Sequence, residues 1–124
     1  MVSPYEHYKK VQVQTATPAE LIIMAYDGAG VYLAKAREAM KAGDFDKARE
    51  AIKKVQAIVG ELTASLDPAA GEIAVHLSRL YGFISERLGR ASAAKDPRFL
   101  DEIARVLGVL REGWCGCARN APKQ

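Results

Sequence analysis

Apolar residues recur at intervals of three and four through four separate stretches of this chain, the spacing that lines one face of an α-helix. In the first stretch, Leu21, Ile22, Ala25, Ala29, Tyr32, Leu33, Ala36 and Met40 form one broad apolar face. In the second, Phe45, Ala48, Ile52, Val55, Val59, Leu62 and Leu66 alternate the two spacings without a break. That is a heptad seam, the mark of near-parallel bundle packing. Lys47, Arg49, Glu50, Lys53, Lys54 and Glu61 occupy the opposite, solvated side. The third stretch offers Ile73, Leu77, Leu80, Ile84, Leu88 and Ala91, with Tyr81 and Phe83 off the line. The fourth has an inner seam of Phe99, Ile103, Val106, Leu110 and Trp114. A second line, Leu100, Leu107 and Trp114, is spaced by seven, with Val109 nearby. This last helix is therefore apolar over more than one face.

The punctuation between the stretches is strong. Thr17 is a good N-cap, Pro18 fits the first helical position, and Glu20 can reach back to the cap's N–H. Gly43 suits a left-handed cap, and Asp44 starts the next helix. Asp67-Pro68 and Asp96-Pro97 each pair a capping aspartate with a helix-opening proline. The expected helices are 18–41, 45–66, 72–94 and 97–115. Short loops make them an all-α, antiparallel, up-down-up-down four-helix bundle over residues 17–117. Residues 1–16 read as an arm and 118–124 as a flexible polar tail. On the arm, Tyr5, Tyr8 and Val11 recur every three residues, an apolar stripe that must land on something.

Composition narrows the function classes. A chain of 124 residues, 49% hydrophobic, suffices for one domain with a core. The net charge of +3 comes from interleaved acids and bases, too balanced to predict nucleic-acid binding. No apolar run approaches the roughly 18 residues of a membrane span. The first residues lack a basic region followed by an apolar one, so the expected compartment is the cytosol. Cys115 and Cys117 are too close to staple anything and too few for structural zinc. They are expected to be reduced and structurally idle.

No catalytic set stands out. Glu72 and His76 have no twin with which to build a di-metal core, so no metal or cofactor is expected. His76-Leu77-Ser78-Arg79 loosely matches a phosphotransfer site, but Leu80 stands where a small residue is expected. No phosphate loop or nucleophile elbow is present. Surplus apolar surface remains, on the last helix and on the arm, and points to protein binding. The candidate partner-binding residues are Tyr5, Tyr8, Val11, Leu100, Leu107, Val109 and Trp114. The residues alone leave two uses open, a protein partner or a homodimer.

A family resemblance favours the partner. The arm Ser3-Pro4-Tyr5-Glu6-His7-Tyr8 is followed by Thr15-x-Thr17-Pro18-x-Glu20-Leu21 and Met24-x-Tyr26-Asp27-Gly28-Ala29. With Gly43-Asp44-x-x-Lys47-Ala48, Leu62-x-x-x-Leu66-Asp67 and the ending Leu110 to Trp114, this order resembles the flagellin export chaperones of the FliS type. The resemblance implies a cytosolic antiparallel bundle that binds the disordered C-terminal segment of flagellin. That client wraps the bundle as helices and extended links, is kept from early polymerisation, and is delivered to the export gate. It also implies an arm lying over part of the client site, a role carried to Tyr5 and Tyr8. Ser3 stands where Asn is usual and Ala25 where Leu is common, and Cys-Gly-Cys has no counterpart.

Overall fold

The structure, a computed structural model, describes residues 16–120, with side chains through Gly116. Four α-helices account for most of them: α1 (Pro18–Lys41), α2 (Phe45–Ala64), α3 (Glu72–Ala94) and α4 (Pro97–Asn120). A single 3₁₀ turn, Pro68–Ala70, lies between α2 and α3, and no strand occurs among the described residues. The helices alternate in direction, and α1 sits between α2 and α4 while α3 closes the bundle opposite.

Local chemistry sets the ends. Thr17 Oγ1 accepts from the Glu20 N–H at 3.2 Å. Its hydroxyl donates to the Glu20 carboxylate at 3.2 Å, so the glutamate engages the hydroxyl and not the backbone N–H of the cap. Asp44 Oδ1 accepts from the Lys47 N–H at 3.1 Å and opens α2, while Gly43 makes the preceding turn at φ +76°. Helix α2 stops at Ala64, two residues before the expected end, where the Ser65 hydroxyl bonds the Leu62 carbonyl at 2.8 Å. Pro68 then disfavours a helical Asp67, and the Asp67 side chain caps the 3₁₀ turn instead. Asp96 Oδ1 accepts from the Arg98 N–H at 2.9 Å at the start of α4. That last helix runs on to Asn120, past the expected 115.

The core is built from Ile52, Val55, Val59, Tyr81, Ile84, Leu88, Leu100 and Ile103, each under 2% exposed. Fully buried Ala29 and Ala36 let the neighbours of α1 come close. Three expectations change here. On α4 the innermost line is Leu100, Ile103 and Leu107, whereas Phe99, Val106, Leu110 and Trp114 flank it, partly buried. Tyr81 is core, although it falls off the expected seam of α3. Ile73, expected in that seam, is 62% exposed, and Ala74 is buried in its place. A seven-residue repeat drifts on a 3.6-residue helix, so which of two adjacent apolar lines faces inward depends on the partners.

Candidate protein-binding surface

At one end of the bundle, where α1 begins and α2 finishes, the apolar seams do not close. A cavity of about 200 Å³ lies there, lined by Ile22 of α1, Leu62 of α2 and Leu66 just beyond it, Ile73, Leu77 and Tyr81 of α3, and Trp114 of α4. Its polar edge is Ser65 and Asp67. Ile22, Leu66, Leu77 and Trp114 are only partly buried, so the cavity is a cleft open to water. Beside it Ile73 stands exposed, as does Val75. A second depression, lined by Leu66, Pro68, Ala74 and Val75, shares residues with the cleft and carries the apolar strip around the α2–α3 edge.

Tyr81 belongs both to the cleft wall and to the core, at 1% exposure. Its hydroxyl meets that of Tyr26 at 2.6 Å, joining α3 to α1 across the bundle. Burial, then the Tyr26 hydrogen bond, pushes the Tyr81 phenol well above its ordinary range. The next residue, Asp27, pairs with Arg111 of α4, whose guanidinium is held more firmly protonated by that carboxylate. Arg37 and Asp101 repeat the device at 2.9 Å. The spacing from 27 to 37 on α1 equals that from 101 to 111 on α4, so the two pairs fix one antiparallel register. Both are half-exposed, so solvent screens them and they fix register more than they add stability. Tyr26 and Asp27, adjacent in sequence, thus both have structural partners.

The predicted site residues divide. Tyr5, Tyr8 and Val11 lie outside the described residues. Leu100 and Leu107 are corrected from surface to core: both are buried, because their line and not the Phe99–Val106 line faces the other helices. Val109 is 71% exposed and does not line the cleft. Trp114 is on the cleft wall. Sequence reasoning missed Ile73 and Val75 as surface residues. The signal was Ile73-Ala74-Val75, three consecutive apolar residues that cannot all face inward on a helix. His76 is exposed on α3. Among the described residues no group of three His, Cys, Asp or Glu side chains is placed to hold a metal. No helix there is long and apolar enough to cross a membrane. Cys115 is a free thiol, 3.6 Å from Arg111 Nη1.

A four-helix bundle closed at one end and opening an apolar cleft at the other has the build of a protein-binding module. The particular kind is set by comparison: the chain matches the family model of flagellar protein FliS over residues 1–121 and belongs to the FliS family. It is 36% identical to the flagellar secretion chaperone FliS of Salmonella typhimurium over 82% of this chain and 77% of that protein. It is 30% identical to the flagellar secretion chaperone FliS of Bacillus subtilis, over 90% and 84% of the two chains. FliSB of Pseudomonas aeruginosa is 35% identical, with 86% of each chain covered. A crystal structure of a bacterial flagellar chaperone superposes with a TM-score of 0.79 at 21% identity, covering 95% of this chain and 99% of that one, and shows the shared fold. The family is one of flagellar secretion chaperones and not of enzymes.

Proposed function

We propose that this chaperone acts in the cytosol on the disordered C-terminal segment of flagellin, prevents its premature polymerisation and assists its export, handing it to the export gate. Family membership supports the client class. The observation that carries the site is the unclosed end of the bundle, with Ile73 and Val75 exposed beside the Trp114 cleft. Covering an exposed isoleucine contributes on the order of 1.5–3 kcal/mol, one anchor of the several that a client folding as it binds would need. Tyr5, Tyr8 and Val11 precede α1, which starts at this same end, and they compete with the client for the cleft.

A flagellin C-terminal peptide titrated into the full chain should bind with a gain in helicity and a negative heat-capacity change. Removal of residues 1–14, keeping the Thr17 and Glu20 cap, should tighten that binding roughly five- to a hundred-fold as arm docking no longer competes. Weaker binding by the shortened chain would show that the arm holds the client and does not guard its site. A homodimer formed through the same strip is the competing use. Sedimentation of the free chain as a dimer that dissociates on peptide addition would favour it.

A further inference from the structure

The α1–α2 face carries a groove that the cleft does not account for. Its floor is Tyr32, Ala57 and Ile58, and Lys53, Lys54 and Glu50 stand around it. Two ammonium groups lie over the Tyr32 ring, Lys35 Nζ at 5.3 Å and Lys54 Nζ at 5.8 Å from its centre. Among the described residues, no carboxylate is within ion-pair distance of Lys35, Lys53 or Lys54. Two cations held over one ring repel each other, and a partly exposed aromatic face is a weak substitute for a carboxylate. A line of small and apolar residues on α1 runs from Tyr32 toward the open end. Leu21, Ala25, Gly28 and Tyr32 fall four, three and four apart, one line along α1 on the side of α2. Leu21, at the cleft end of that line, is 39% exposed. Midway, Gly28 lies against Ile58, whose Cδ1 would meet an added Cβ at 3.6 Å, so the helices approach closely and the floor stays shallow.

We propose that this groove takes an acidic amphipathic stretch of the same client, whose apolar side covers Tyr32 and Ile58 while its carboxylates draw Lys35 and Lys54 off the ring and pair with Lys53. The proposal rests on the client assignment above and adds to it a second, charge-reading subsite that sets the direction of the bound segment. The lysines are solvent-exposed, so replacing them leaves the bundle folded.

The test titrates the full chain and its Lys35→Gln/Lys53→Gln/Lys54→Gln variant with two peptides by calorimetry at low and high salt. One is a flagellin C-terminal peptide carrying its natural Asp and Glu residues; the other has them replaced by Asn and Gln. The unaltered chain should prefer the acidic peptide by roughly ten-fold at low salt, with the preference shrinking as salt rises. The triple variant should lose that preference and bind both peptides about as the unaltered chain binds the neutral one. Equal affinity of the unaltered chain for both peptides, or a preference that survives in the triple variant, overturns the groove assignment and leaves the cleft standing. Failure of both peptides to bind the unaltered chain overturns the client assignment, and the groove with it.

Discussion

The two ends of the bundle use the same kind of helix to opposite effect. At the end where α1 meets α2 and α3 meets α4, the seams close: Ala36, Met40, Ala48, Ile52, Leu88, Ala91 and Leu100 are all buried. Its connections are tight, with Gly43 and Lys95 in left-handed conformations and the Asp44 and Asp96 caps directly after them. Lys95 extends over the Phe45 ring at 4.9 Å and covers that edge. At the other end Ile22, Leu66, Leu77 and Trp114 remain only partly buried, and Ile73 faces water. The difference lies in side-chain size and in the loop. Small Ala36, Ala39, Ala48 and Ala91 are buried at the closed end, whereas the Asp67–Gly71 turn joins α2 to α3 beside the large side chains of the open one. Burial is concentrated at one end and exposed apolar surface at the other.

The largest effect that separates the ends is a cavity in the closed one. Leu100→Ala or Ile52→Ala should cost about 2–5 kcal/mol in urea-induced unfolding, the sum of lost transfer energy and the void left behind. Ile73→Ala should cost less than about 0.5 kcal/mol. Similar losses at both ends would erase the distinction.

The buried phenol pair sharpens the boundary between them. Tyr81→Phe strands the Tyr26 hydroxyl in the core and should cost about 1–3 kcal/mol. The double change Tyr26→Phe/Tyr81→Phe leaves no polar atom unpaired and should cost less than the sum of the two single changes. Additive losses in a double-mutant cycle would show that the two hydroxyls do not depend on each other.

A smaller effect is read through pH. The Tyr81 phenol ionises far less readily in the folded chain than in the unfolded one, whose tyrosines titrate near 10. Its contribution is therefore fully present below pH about 10. It is lost as pH climbs past that value, because the unfolded state then releases a proton that the folded state keeps. Unfolding measured at pH 9 and pH 11 should show that loss, and Tyr81→Phe should shrink it.

Much of this was legible in the residues. Thr17, Asp44, Asp67 and Asp96 announce helix starts because capping is local chemistry, independent of the rest of the chain. The α2 seam was readable because its other face is charged, which leaves the helix only one way to turn. Helix α4 was not: Phe99 and Val106 form one apolar line and Leu100 and Leu107 another, about 100° apart, and only the packed partners decide between them. The cleft was hidden for a related reason. Its walls come from all four helices, and whether Ile73 or Ala74 turns inward depends on how the Asp67–Gly71 turn delivers α3. Of the cleft residues only Trp114 stands out in the sequence as a binding candidate, because a lone tryptophan on two apolar lines is conspicuous.

The most direct test of the open end as the client site is Ile73→Asp in the full chain, read by calorimetric titration with a flagellin C-terminal peptide alongside thermal unfolding. Because Ile73 is already in water, a carboxylate there should leave the melting temperature within about 2 °C of the original while weakening peptide binding ten-fold or more. Unchanged affinity, or a fall in affinity matched by an equal fall in folding stability, would contradict the assignment of the Ile73–Trp114 end as the place where the client docks.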